Sequence, residues 1–257
     1  MHCPLAATSH GGHRETEQDR HSNLCLGSTG RLMKLLAIDC AASLCAACVY
    51  DAEAKRELGR SVLDLGKGHA EHLMAVIEEA LKTSSIGYAG LGAIGVSVGP
   101  GSFTGLRVGV SAARGLALAL KIPAIGVTSL EALAAQAAEA FPGRPVLSAL
   151  DAGREEIHAA FFDESIALAF GPAVTTLADV VALAGDRSPV LAGTAALQIA
   201  EAAGRAFDIG PTSATGDIAV YARLAAAKGE GERPKPLYLR GADAKPQAGF
   251  ILARQNN

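Results

Sequence analysis

The stretch Gly95–Ser111, GVSVGPGSFTGLRVGVS, decides how this chain is to be read. An apolar strand, Ala93 to Val98, runs into a tight glycine-rich turn, and a helix follows from Gly105 to Lys121. In α/β proteins ligands collect where a strand hands over to a helix, and the unpaired N–H groups of a helix start suit anions. Gly99, Gly101, Ser102, Thr104 and Gly105 are therefore the anion-loop candidates, and Ser102 and Thr104 are also good N-caps. The nucleotide motifs are not met. A Walker loop needs a lysine after its last glycine, whereas Leu106 and Arg107 follow Gly105. A G-x-G-x-x-G spacing fails because Thr104 stands at the third glycine position. The other use of such glycines is to let strand and helix pack closely.

Working outward, strands and helices alternate. Lys34–Asp39, Leu44–Tyr50 and Glu57–Leu65 read as strands. Ala70–Lys82 reads as an amphipathic helix, with Leu73, Val76, Ile77, Ala80 and Leu81 on one face. Beyond the opening stretch come a strand at Pro123–Val127 and a helix at Leu130–Glu139. Pro142-Gly-Arg-Pro145 marks a boundary. A second unit then repeats the scheme, with strands Val146–Leu150, Glu156–Phe162 and Val190–Ala192 and helices Leu177–Leu183 and Ile218–Lys228. The tail PKPLYLR is extended. Strands leading into helices give an α/β architecture, and two units that each open on a strand and a hairpin suggest related halves. The expected division is a disordered N-terminal extension over 1–32, one half over 33–140 and a second over 141–257.

Composition narrows the function classes. Hydrophobic residues make up 49% of 257 and charged residues 19%, which is the balance of a cored domain. No apolar run approaches the roughly 20 residues of a membrane span. Net charge is −3 without a Lys/Arg cluster, so independent nucleic-acid binding is not expected. The five cysteines, Cys3, Cys25, Cys40, Cys45 and Cys48, suggest no disulfide framework, and a reducing, cytoplasmic compartment fits them. Cys45 and Cys48 fall on opposite faces of one strand, cannot share a metal, and are expected to be buried, inert thiols.

As a set, MKLLAIDCA, HAEHLMAVIEEAL, AIGVSVGPGSFTGLRVG, IPAIGVTSLEALA and the closing PLYLR resemble the TsaB family. The resemblance runs from Met33 to about Arg240, close over Met33–Ala134 and looser after. It implies the actin-like ATPase (ASKHA) fold with two RNase H-like halves. It also implies a non-catalytic subunit that binds and activates TsaD, a paralogue, in the biosynthesis of threonylcarbamoyladenosine (t6A) in tRNA. TsaD transfers the threonylcarbamoyl group from threonylcarbamoyl-AMP to the N6 of the adenosine beside the anticodon, and TsaE, an ATPase, completes the complex. The expected partners are thus TsaD and TsaE, with tRNA met only through the complex and no membrane. The chain is expected to hold no cofactor of its own, ATP and threonylcarbamoyl-AMP being handled by the partner subunits.

The chain departs from the paralogue's pattern where chemistry would sit. TsaD holds a metal through a His-x-x-x-His pair; the matching stretch is Val127-Thr-Ser-Leu-Glu-Ala-Leu133, with Ser129 and Leu133 at the histidine positions. Leucine cannot ligate a metal and serine does so poorly. After Asp39 the turn Cys40-Ala-Ala-Ser43 lacks a phosphate-admitting glycine. His69-x-x-His72 shares a helix face but shows no third ligand; His69 is placed at the helix start and His72 on the solvent side. Asp151, Arg154, Glu155 and Glu156 are explained by a hairpin turn. The alternatives are a free-standing metal-dependent glycoprotease-like or ATP-hydrolysing enzyme, or a small-molecule kinase of the same superfold. The resemblance places the partner surface on the two N-terminal-half helices, with Leu73, Val76, Ile77, Arg107, Gly109, Val110, Ala113 and Arg114 as its candidates and homodimerisation as the isolated chain's option.

Overall fold

The run KLLAID forms β1 (Lys34–Asp39), the central strand of a five-stranded sheet, because every residue after Lys34 is buried. The computed structural model describes residues 34–239, so the extension over 1–32 and its expected disorder lie outside them, as do Arg240 and the end of the tail. β2 (Leu44–Asp51) and β3 (Arg56–Asp64) fold back antiparallel from β1. β4 (Ala93–Gly99) and β5 (Ala124–Thr128) add in parallel on the other side, giving the order β3-β2-β1-β4-β5.

The second sheet repeats this plan. β6 (Val146–Asp151), β7 (Glu156–Phe162) and β8 (Leu168–Thr176) form an antiparallel meander, and β9 (Val190–Ala192) lies parallel to β6. A parallel bridge from Leu191 to Ile209 occupies the place of a fifth strand. The two units are therefore the RNase H-like halves of an actin-like ATPase fold.

The helices do not respect the expected boundary. α1 (His69–Ser84) and α2 (Phe103–Leu120) cover one face of the first sheet, packing Leu73, Val76, Ile77, Val110 and Ala113 onto Leu36, Ile38 and Val96. Its other face is covered by α6 (Ile218–Lys228), whose Tyr221, Ala222 and Ala225 meet Leu35, Ala37 and Ile125. α3 (Ser129–Ala140) follows β5 in sequence yet packs Leu130, Leu133 and Ala137 against Val146, Leu150 and Phe162 of the second sheet. α4 (Leu177–Ala184) and α5 (Ala196–Ala203) cover that sheet's remaining face. The division at Pro142 thus separates the sheets but not the cores: each half lends one helix to the other, and without the exchange each sheet would keep one uncovered face.

Two elements, β8 and α5, escape the sequence pattern. β8 is interrupted by Gly171-Pro172, which breaks the alternation of a strand. α5 has only eight residues, ALQIAEAA, too few to establish a period. The 18 residues of α2 are by length and composition long and apolar enough to cross a bilayer, but Leu106, Val110, Ala113 and Ala117 are built into the first half's core.

Candidate functional site

The loop of the opening stretch is occupied by its own chain. A Cβ on Gly101 would collide with the carbonyl oxygen of Ala41, and one on Gly105 with that of Cys40. The Ser102 N–H donates to the Ala41 carbonyl at 2.7 Å, and Ser102 Oγ accepts from Gly105 N at 3.3 Å, capping α2. Gly99 holds φ +99°, open to glycine and strained for other residues. Of the anion-loop candidates, Gly101, Ser102 and Gly105 therefore serve to dock the start of α2 onto the β1–β2 turn. Thr104 does not cap; it lies exposed inside the first turn.

Behind that turn lies a buried polar chain. Asp39 ends β1 at 1% exposure. Its Oδ1 accepts from the Ala41 N–H at 2.9 Å, and its Oδ2 accepts from Thr215 Oγ1 at 2.6 Å. Thr215 Oγ1 lies 2.6 Å from the hydroxyl of Tyr221 on α6, so Tyr221 donates once Thr215 has spent its proton on Asp39. Ser97 Oγ from β4 and Ser129 Oγ from α3 face the same centre, buried and outside hydrogen-bond geometry. Burial pushes the Asp39 carboxyl above its usual range, opposed by the bonds from Thr215 and the Ala41 N–H. Burial raises Tyr221 too, reinforced by the Asp39 charge. The chain crosses from β1 to α6 and closes the seam between the halves.

The positions matched to the paralogue's metal ligands do not fit a metal. Leu133 is fully buried among Leu130, Val146 and Phe162 and offers no donor; Ser129 Oγ is enclosed. His69 is buried at the start of α1, its Nε2 3.2 Å from the Leu44 carbonyl, while His72 is exposed. The two rings are turned to different surroundings. Cys45 packs with the α1–α2 side of the first sheet and Cys48 with the α6 side, as strand alternation requires; Cys45 instead faces Cys40. Asp151 Oδ1 accepts from the Gly153 N–H at 2.7 Å, the bond of a local turn. Asp151, Arg154, Glu155 and Glu156 line an open cleft of about 580 Å³ with Thr176 and Gln198.

The partner-surface candidates need correction. Leu73, Val76, Ile77, Gly109, Val110 and Ala113 are all buried against the chain's own first sheet, so they are not on a surface at all. Arg107 and Arg114 are exposed. Arg107 is tied down: its guanidinium stacks 3.7 Å from the Phe103 ring centroid and Nε donates to Tyr238 Oη at 2.9 Å. The outward stripe of α2 is Arg107, Ser111, Arg114, Gly115 and Leu118, the last 77% exposed. α1 beside it presents Met74, Ala75 and Glu78. Sequence reading reached Arg107 and Arg114 but grouped them with the buried Gly109, Val110 and Ala113, because α2 is small or apolar almost all round and its pattern does not say which side meets the sheet. It missed Tyr238, whose contact with Arg107 spans 131 positions.

Three comparisons bear on this geometry. The family model described as TsaD, tRNA N6-adenosine threonylcarbamoyltransferase, matches residues 64–228. The protein Rv3421c of Mycobacterium tuberculosis is 35% identical over 224 residues, 85% of this chain and 97% of that protein. The tRNA threonylcarbamoyladenosine biosynthesis protein TsaB of Escherichia coli is 33% identical over 129 residues, 49% of this chain and 53% of that protein, so the match spans about half of it. The solved structure of YeaZ from Pseudomonas aeruginosa superposes with TM-score 0.62 at 25% identity, over 80% of this chain and 99% of that one.

Proposed function

The chain belongs to the TsaB family, within the wider group that the TsaD model describes, and from that premise we propose that it is a non-catalytic subunit that binds and activates TsaD. Its place is in tRNA threonylcarbamoyladenosine biosynthesis, in the cytoplasm, with TsaE as the third component and tRNA met through the complex. One observation carries this reading: Asp39, at the strand end where this fold places ligands, is 1% exposed and bonded to Thr215 and the Ala41 N–H. A carboxylate so enclosed has no free face for a substrate or a metal-bound water. The burial of Leu133 supports the same reading.

The function then lies in a surface. The outward stripe of α2 and the neighbouring face of α1 form a two-helix ridge with small residues at Ala75, Ser111 and Gly115 and an apolar anchor at Leu118. Such a ridge suits packing against a like pair of helices, and a paralogue offers one in pseudo-symmetric form. TsaD is the occupant we assign to it; a second copy of this chain takes its place when TsaD is absent.

Reconstitution by omission tests the reading. tRNA, threonylcarbamoyl-AMP, ATP, TsaD and TsaE are combined with and without this chain, and modified adenosine is quantified. Product only when TsaD and this chain are both present is the expected result. Equal product without this chain, or product from this chain without TsaD, overturns it.

A further inference from the structure

Cys40 and Cys45 flank the β1–β2 turn directly opposite one another. The antiparallel register pairs Asp39 with Ala46, so the next step toward the turn sets Cys40 across from Cys45, and their Sγ atoms lie 4.0 Å apart. Directly opposed residues of antiparallel strands hold their Cβ atoms about 4.5–5.5 Å apart, against about 3.5–4.5 Å in a disulfide. Closing the pair therefore brings the Cβ atoms about 1 Å and the sulfurs about 2 Å nearer, and a turn is the place where a hairpin gives most easily. Both thiols are buried, but they sit one step inside a tip whose Ser43 is exposed.

We propose that Cys40 and Cys45 are an oxidisable dithiol that a peroxide converts into a cross-strand disulfide. The thiolate of one cysteine attacks one peroxide oxygen, the O–O bond breaks, and hydroxide leaves, giving a sulfenic acid. The other cysteine then attacks that sulfur, the S–OH bond breaks, and water leaves. Overall two thiols and one hydrogen peroxide give one disulfide and two waters. The pairing suits this chemistry. Either sulfur can donate the hydrogen bond they share, so the thiolate formed first is held by its neighbour's S–H.

The disulfide would be felt in α2. Cys40 Cβ lies 3.5 Å from where a Gly109 Cβ would stand, and the Cys40 and Ala41 carbonyls are the surface on which Gly105 and Gly101 sit. Drawing Cys40 toward Cys45 moves its side chain off Gly109 and shifts the pad under the start of α2. The chemistry does not rest on the proposed function; it follows from the turn alone.

The test uses the full chain, reduced and then treated with hydrogen peroxide before alkylation and tryptic digestion. The peptide Leu35–Lys55 contains Cys40, Cys45 and Cys48. The expected product has lost two hydrogens and keeps one alkylated thiol, and dithiothreitol restores three. Cys48→Ser should still form the link, while Cys40→Ala and Cys45→Ala should each abolish it. A link through Cys48, over-oxidation of Cys40 or Cys45 without a link, or reaction only in urea overturns the proposal. Because an alanine variant could unfold, amide hydrogen exchange of the oxidised wild type supplies a second reading. Exchange over residues 99–109 should rise several-fold, and unchanged exchange there overturns the coupling to α2.

Discussion

The two halves of this molecule put the same residue at the same address and treat it in opposite ways. β1 and β6 occupy equivalent places in their sheets, and each ends in an aspartate, Asp39 and Asp151. Asp39 is sealed by Thr215 and Tyr221, while Asp151 is exposed at the rim of an open cleft. The outer helices differ as well. α1 and α2 have 16 and 18 residues, and their counterparts α4 and α5 have eight each. Duplicated topology therefore fixes where a group stands but not what it can do. The first half closes its strand end and extends two long helices; the second keeps its strand end open and its helices short.

The largest effects should separate the two sides of α2. Val110 is 2% exposed against Ile38 and Val96, in the first half's core. Val110→Asp should cost about 4 kcal/mol through an unpaired buried charge, a large part of the 5–15 kcal/mol that holds a typical domain. Circular dichroism should show the fold lost or its melting transition far lower. A native transition in this variant would mean that Val110 does face outward and that the helix is rotated from the position described.

Next in size is a matched pair on the outer helices. Leu118 on α2 is 77% exposed and Leu197 on its counterpart α5 is 63% exposed. Leu118→Glu should weaken TsaD association about tenfold or more, the scale of losing an anchor at an interface, with its melting temperature near that of the wild type. Leu197→Glu should leave association unchanged. Titration calorimetry with both variants reads this directly; equal losses, or loss only at Leu197, would move the partner surface to the second half.

The middle prediction concerns the aspartates. Because burial raises the Asp39 carboxyl, the folded state favours its protonated form. Its stability contribution is fully present below the unfolded value of about 3.9 and is lost as pH rises through the raised folded value. Asp39→Asn removes that loss while keeping an acceptor for the Ala41 N–H. Its stability relative to wild type should therefore climb as pH rises from about 4, by about 1.4 kcal/mol for each unit by which the folded value is raised, and then level off. Asp151→Asn keeps the acceptor used by Gly153 and should leave the melting temperature close to that of the wild type. A flat pH profile for the Asp39 variant would remove the distinction between the two strand ends.

What could be read beforehand follows the range of the interactions involved. β1, β2 and α1 are legible because each carries its own period over six or more residues, and the turn glycines are legible because the positions around them form a tight, local unit. The exchange of α3 and α6 is not, since an apolar stripe announces burial without naming the sheet that receives it. The seal over Asp39 comes from Thr215, 176 positions away, and no local pattern points to it. The Cys40–Cys45 pairing is not legible either: strand ends at Asp39 and Leu44 would set Cys40 across from Ser43, whereas the register pairs Asp39 with Ala46 and brings Cys40 to Cys45. The eye goes instead to Cys45-x-x-Cys48, whose members the strand holds on opposite faces.

The smallest effect sharpens the contrast within α2 itself. Gly105 and Gly115 lie ten positions apart on one helix, yet a Cβ at the first would strike the Cys40 carbonyl and one at the second meets open space. Gly115→Ala should raise stability by about 0.5–1 kcal/mol, because alanine loses less backbone entropy in a helix interior. Gly105→Ala should lower it, since the collision is with backbone that the β1–β2 turn holds in place. Thermal melts of the two variants measure both signs in one experiment. Stabilisation by both would mean that the turn yields to the added methyl and that the loop does not dock on it as tightly as described. Stabilisation by Gly115→Ala alone would assign the glycines of the opening stretch to docking at one end of the helix and to an unobstructed outer surface at its middle.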